Sequence, residues 1–215
     1  MQNRSFRNGK KSTGSVRSTM PHTKIALAST SPRRRELLAS LGFELLLLDP
    51  NIDESIKPGE SAGELALRLG REKALAVANQ TVLPIIAADT IVVIGQEILN
   101  KPENLEHARR MIRQLSSREH LVLTGYAVLY QGRLINELVT TSLVFRNLAE
   151  HEIESYLLTN EWIGKSGACT LQGSSGHFVN HMTGSFTNVL GLPLTEILSA
   201  LDILHNLPYR HYTKT

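Results

Sequence analysis

Apolar residues recur along this chain with two different periods. A continuous apolar run at 25–28 predicts a short buried strand, and the run 43–48, broken by Glu44, predicts a second. Between them Ser31 stands where a helix N-cap belongs, with Pro32 at the first helical position, where its missing N–H costs nothing. Leu37, Leu38 and Leu41 share one face of that helix, and Gly42 stops it. Ser61-Ala-Gly-Glu64 reads as a capping box that opens a second helix, whose stripe is Ala62, Leu65, Ala66, Leu69 and Ala76. Lys73 falls on that stripe. A lysine there either snorkels to the edge or points its ammonium into a cleft. The run 84–94 is β-branched and apolar on both faces, as a central strand should be, and Gly95-Gln96 turns it back through 97–99. Asn104 caps a helix carrying Leu105, Ala108, Met111, Ile112 and Leu115. Segments 121–130 and 134–145 around Gln131-Gly132 predict a long antiparallel hairpin. A helix with Ile153, Tyr156 and Leu157 follows, then a loop rich in small residues at 165–176. Gly191-Leu-Pro193 leads into a last helix with Leu194, Ile197, Leu198 and Leu201. Helices alternate with strands early and a hairpin comes late, which predicts an α/β fold with a mixed sheet and two lobes.

Composition narrows the class. Hydrophobic residues are 41% and charged residues 20% of 215, as in ordinary soluble proteins, and no apolar run approaches the ~20 residues of a membrane span. The net charge of +3 is concentrated at the start. Arg4, Arg7, Lys10, Lys11 and Arg17 are five of the 23 Lys and Arg; the remaining 18 stand against 20 Asp and Glu. The body is thus close to neutral, which argues against a nucleic-acid surface. Residues 1–22 are expected to be a disordered basic tail. They lack the apolar core of a secretory signal, and they read either as transit-like or as a leader before a second start at Met20. Residues 23–207 are expected to form one domain of two lobes, with 208–215 as a C-terminal tail. The single cysteine, Cys169, excludes an intrachain disulfide and points to a reducing, cytoplasmic setting. As a nucleophile it would need a base such as His177 or His181; a lone cysteine is otherwise a small hydrophobe.

Candidate chemistry gathers at a few positions. Ser29, Thr30 and Ser31 sit at the positive end of the first helix, and Arg33, Arg34 and Arg35 crowd its first turn. Three cations there oppose the helix dipole; a bound phosphate would relieve the conflict, and solvated arginines are the alternative. Asp89 interrupts the central strand, where a carboxylate is costly unless paired or coordinated. Asp53 and Glu54 stand side by side on a proline-broken loop, either solvated or suited to a hard cation. Lys101 precedes a proline at a strand end. Gln172, in the small-residue loop, has an amide able to read a base edge. A cleft between lobes would collect these groups. There is no zinc-type cluster, no Ser-His-Asp arrangement, no Walker loop and no dinucleotide fingerprint. Carboxylates with cations suit metal-assisted hydrolysis of a phosphoanhydride. A regulator that binds nucleic acid through the basic tail is the competing class.

Six runs occur in order: Leu27-Ala-Ser-Thr-Ser-Pro-Arg-Arg-Arg-Glu-Leu-Leu38, Arg71-Glu-Lys-Ala74, Ala88-Asp-Thr-Ile-Val92, Asn100-Lys-Pro102, Thr124-Gly125 and Val189-Leu-Gly-Leu-Pro193. Together they resemble the Maf family of nucleoside triphosphate pyrophosphatases over roughly residues 24–203. The resemblance implies an elongated mixed β-sheet flanked by helices, two lobes with a central cleft, as in Maf and ITPase-like folds. It implies hydrolysis of a nucleoside triphosphate to the monophosphate and pyrophosphate with a divalent cation (Mg, Mn or Co), in a house-cleaning role. Asp89 would be catalytic, Glu54 and Asp89 would hold metal, and Ser29, Ser31, Arg33, Arg34, Lys73 and Lys101 would bind phosphate. At Arg33, Thr90 and Gln172 the chain resembles the dTTP/UTP branch rather than the 7-methyl-GTP branch. Where that branch often has tyrosine, this chain has Cys169, which bears on base preference more than on chemistry. A small nucleotide is the expected partner, with neither membrane nor nucleic acid, and a homodimer is compatible with the resemblance.

Overall fold

The computed structural model describes residues 24–205. The expected tails at 1–22 and 208–215 lie outside the described residues. The first unit is β1 (Lys24–Ala28), α1 (Pro32–Ser40) and β2 (Glu44–Leu48), with β2 parallel to β1 from Lys24↔Glu44 to Ala28↔Leu48. Then α2 (Ala62–Ala76) crosses to β3 (Ile85–Ile94), also parallel to β1. After it come β4 (Glu97–Leu99), α3 (Leu105–Leu115), the hairpin of β5 (Glu119–Tyr130) and β6 (Arg133–Phe145), and α4 (Glu150–Leu158). The described residues end with β7 (Val179–Thr183), α5 (Phe186–Val189) and α6 (Leu194–His205). The seven strands form one mixed sheet in the order β2-β1-β3-β5-β6-β7, with β4 on β3.

The long β3 changes partner along one edge. Its register with β1 ends at Ala28↔Ala87, and its register with β4 begins at Val92↔Leu99. On the other side β5 pairs with it from Ile85↔Leu129 to Val93↔Leu121. Residues 88–91, which include Asp89 and Thr90, therefore have a strand partner on one side only.

Alternation sends successive residues of β3 to opposite faces. On one face Ala87, Ile91 and Val93 meet the α2 residues Ala74, Leu65, Ala66 and Leu69. On the other face the core is divided. Ile86 and Ala88 pack with Leu38, Leu192, Ile197 and Leu201 near α1 and α6, whereas Val92 and Ile94 pack with Ile112, Leu115, Ile153 and Phe178 near α3 and α4. The cleft falls between these two clusters.

Several expectations shift in detail. The strand at 44–48 is the end of the sheet and partly exposed, not buried, because it pairs only with β1. In α1 only Leu38 is buried, and Ser31 holds the N-cap position with no side-chain cap bond. In α2 the capping box is present, with Ser61 and Glu64 bonded reciprocally, but Ala76 is exposed. The segment 165–176 is not a plain loop: it holds 3-10 turns at Ser166–Ala168 and Ser174–Phe178. β7 and α5 were not expected.

Candidate functional site

The turn from β1 into α1 builds one wall. Ser29 Oγ accepts the Ser31 N–H at 3.1 Å, which closes the turn from two residues before the expected cap. The arginines then divide. Arg34 Nε donates to the Gly191 carbonyl at 2.8 Å, Nη2 to Thr90 Oγ1 at 3.1 Å and Nη1 to Ser29 Oγ at 3.4 Å. It thus ties α1 to β3 and to the turn before α6. Its burial holds the guanidinium below the ordinary arginine pKa, and the Asp89 charge partly offsets this. Thr90 is held from behind by Thr124 Oγ1 at 3.0 Å. Arg33 Nη1 reaches Thr170 Oγ1 at 2.5 Å, across the cleft on the opposite lobe. Its pKa too is lowered by burial.

The opposite wall is seated by α2. At Gly70 an added Cβ would lie 2.4 Å from the Gly125 carbonyl oxygen, and at Gly125 only 2.0 Å from the Ala66 carbonyl oxygen. Backbone therefore lies on backbone, and Lys73, less than one turn beyond Gly70, reaches the β3 edge. Its Nζ sits 2.6 Å from Asp89 Oδ1 and 2.6 Å from Glu54 Oε1. The Lys73 side chain is 7% exposed, Asp89 15% and Glu54 48%. Lys73 thus points into the cleft. Burial pushes the Glu54 carboxyl up, but the Lys73 hydrogen bond and charge, with Lys101 and Arg34 behind them, outweigh this and hold it below the ordinary glutamate range.

Glu54 is on a loop that Arg68 fastens to α2. Arg68 binds both oxygens of Glu60 at 2.6 and 2.9 Å, Glu72 Oε2 at 3.0 Å and the Ser55 carbonyl at 2.8 Å. Asp53, beside Glu54 in sequence, turns back onto the Ser55 N–H and hydroxyl, each at 2.9 Å. The adjacent carboxylates are therefore separated: Glu54 lines the cavity and Asp53 does not.

The cavity has a volume of about 810 Å³ and is open at the free edge of β3, so it touches both faces of the sheet. It brings together Ser29, Ser31, Arg33, Arg34, Glu54, Lys73, Asp89, Thr90 and Lys101. Gln172 is exposed and is not among its lining residues; Thr170, two residues earlier, takes the position facing Arg33. Lys165 also lines the cavity, and burial, with the Arg33 charge, lowers its pKa. Sequence reasoning did not single it out, since a lysine among small residues carries no periodic signal. His120 was missed as well, a polar residue hidden at the start of an apolar strand. Cys169 lines the cavity with its thiol pushed up to about 12 by burial, so it is not poised as a nucleophile. His177 instead packs on Phe178, and His181 on Thr183.

Among the described residues no group of three or more His, Cys, Asp or Glu gathers as a metal cage. Glu54 Oε1 and Asp89 Oδ1 nevertheless converge on one point, now taken by the Lys73 ammonium. Two hard oxygens with room for phosphate oxygens and water beside them suit a divalent cation such as Mg²⁺.

Residues 24–204 match the family model described as Maf-like protein. The chain belongs to the Maf family. Among Maf relatives, the "dTTP/UTP pyrophosphatase" of Anaeromyxobacter dehalogenans is 46% identical over 182 residues, 83% of this chain and 92% of that protein. That of Chromobacterium violaceum is 45% identical over 180 residues, 81% and 91% of the two chains. That of Escherichia coli K12 is 42% identical over 182 residues, 84% and 92%. A looser structural likeness runs to a nucleoside-triphosphatase / dITP/XTP pyrophosphatase of Mycobacterium abscessus, at TM-score 0.40 and 19% identity over 58% of this chain and 75% of that one. In Maf terms, five of the six sequence runs contribute lining residues to the cavity: those at 27–38, 71–74, 88–92, 100–102 and 189–193. The Thr124-Gly125 run supports it from behind.

Proposed function

We propose that this protein hydrolyses dTTP and UTP to the monophosphate and pyrophosphate. The observation that carries the reading is the pair Glu54 and Asp89 on one ammonium, in a cavity that Arg33, Lys101 and Lys165 also line, in a chain 42–46% identical to proteins named for that activity. Glu54 and Asp89 are the residues that would hold a divalent cation. Such a cation, when bound, supplies Lewis-acid charge to the phosphate oxygens. Asp89, the more buried carboxylate, accepts the proton of the attacking water. The water oxygen bonds to the α-phosphorus as the bond from that phosphorus to the α,β-bridging oxygen breaks, and the electron pair leaves on that oxygen with pyrophosphate. Lys73, Lys101 and Arg33 neutralise that charge. Ser29 and Ser31 bind phosphate at the helix start, and Arg34 keeps the walls in register. The role is to discard noncanonical or modified pyrimidine nucleotides in the cytoplasm, the compartment that the lone cysteine favours.

Pyrophosphate release across a nucleotide panel tests this, with Mg²⁺, Mn²⁺ or Co²⁺ and with chelator. dTTP and UTP should turn over fastest, chelator should stop release, and Asp89→Asn should lose about 10²–10⁴ in rate. Release from no nucleotide, or full activity in Asp89→Asn, would sink the proposal. Faster turnover of ITP or 7-methyl-GTP would overturn the base assignment alone.

A further inference from the structure

The cavity has an apolar wall beside its charged groups. Beyond Thr90 its wall continues over Val92, Val122, Leu143 and Val189. One polar side chain also lines this apolar part. His120, at the start of β5, is 2% exposed, and its Nε2 is buried with no hydrogen-bond partner. The other ring nitrogen, Nδ1, lies 3.5 Å from the Arg118 carbonyl. A carbonyl only accepts, so the ring proton belongs on Nδ1 and Nε2 carries a lone pair. The ring is braced edge-on against Phe145 at 4.6 Å and 82°. Burial, only partly offset by that carbonyl, pulls its pKa down to about 4, so the imidazole is neutral at physiological pH. A buried acceptor left without a donor is costly in a folded protein and calls for a partner, and the residue that carries this one lines the cavity.

Position agrees with chemistry. Thr124 stands opposite Thr90, next to Asp89, and His120 is four residues earlier on β5. At about 3.4 Å per residue that is ~14 Å along the strand. A triphosphate held by Lys73, Arg33 and Lys101 would have to reach this region with its nucleoside.

We propose that His120 reads the base: its Nε2 accepts a hydrogen bond from N3–H of uracil or thymine at the apolar wall of the cleft. The proposal rests on the pyrimidine reading above and deepens it. Uracil and thymine carry a proton on N3. Cytosine carries a lone pair there, which would face the lone pair of Nε2. The contact therefore separates uridine and thymidine nucleotides from cytidine nucleotides. Guanine also has a ring N–H, so exclusion of purines is left to the size of the recess.

Two measurements test it. The first compares kcat/KM for UTP, CTP and 3-methyl-UTP, whose N3 carries no proton, in the wild type, His120→Phe and His120→Gln. The wild type should favour UTP over both analogues. His120→Phe should lose about 10- to 100-fold on UTP alone, collapsing the preference, and His120→Gln, which keeps an acceptor, should recover part of it. An unchanged UTP-to-CTP ratio in His120→Phe would mean that Nε2 meets only a buried water, and would overturn the proposal. The second needs no variant: the ¹⁵N shift of His120 Nε2 should move on adding α,β-imido-UTP and stay still with the cytidine analogue. No movement with either overturns it. A wild type inactive on every pyrimidine triphosphate would instead refute the functional reading itself.

Discussion

A single ammonium, that of Lys73, holds two carboxylates from different parts of the chain, and its geometry depends on a residue outside the cavity. Arg68 joins Glu60, Glu72 and the Ser55 carbonyl, next to Glu54. Arg68→Ala should free the loop and cost about 10- to 100-fold in kcat/KM, the usual penalty for a displaced site group, and should lower the melting temperature at neutral pH as well. Arg68→Lys should not restore it, because one ammonium cannot reproduce the fork on Glu60. Unchanged kinetics would show that the loop is held otherwise. The same pair has a signature in acid. Glu60, bonded by Arg68, and Glu152, bonded by Arg146, are held at about 2 against an ordinary 4.5. Between those values the unfolded chain binds more protons than the folded one, so stability rises with pH. Their contribution is complete above about 4.5 and is lost as pH falls toward 2. Melting temperatures from pH 5 down to pH 2 should show this fall, and Arg68→Ala should flatten it. At this scale the sequence was informative where a residue broke its own pattern. Asp89 in an apolar strand and Lys73 on an apolar stripe both stood out. His120 did not, because only the packing shows that its outer nitrogen lacks a partner. Gln172 is exposed outside the cavity lining, and no periodicity among its small neighbours fixes which of them faces inward.

At the scale of elements, the seat of α2 on β5 decides whether Lys73 reaches Asp89. Gly125 has no space for a Cβ against the Ala66 carbonyl. Gly125→Ala should cost at least about 2 kcal/mol through overpacking, or about 4–8 °C in melting temperature. Activity should drop further than stability does, since a lifted helix withdraws Lys73; activity measured well below the melting point separates the two. The helices and the long hairpin were legible because caps and periodic stripes are local. Gln131 and Gly132, at φ 49° and 76°, make the left-handed turn that suits a two-residue hairpin. β7 was not legible: Val179-Asn-His-Met-Thr183 is a largely polar edge strand with no alternation, and it exists only because β6 offers an edge. The four-residue α5 is likewise a product of its surroundings. Asn188, fully buried, donates to the Val122 carbonyl at 3.1 Å and so is held by the sheet.

For the molecule as a whole, two apolar clusters on one face of the sheet leave the cleft between them. Arg33 bridges it with a hydrogen bond to Thr170. A ligand that binds across it should therefore stabilise the entire fold. A non-hydrolysable dTTP analogue at 100 times its Kd, with Mg²⁺, should add about 2.7 kcal/mol, read as a rise in melting temperature that chelator reduces. A cleft and most of its lining were legible in the sequence, but not that it opens where β3 changes from β1 to β4, because that change joins residues far apart in sequence. That change has a consequence for motion. Backbone amides in residues 88–91 that face away from β5 lack a ladder bond, so they should take up deuterium through small local fluctuations, whereas residues 85–87 need the sheet itself to open. A nucleotide lying along that edge would slow the uptake. Exchange in one short peptide of β3 would then report occupancy of the site without a dye, a turnover or a substitution.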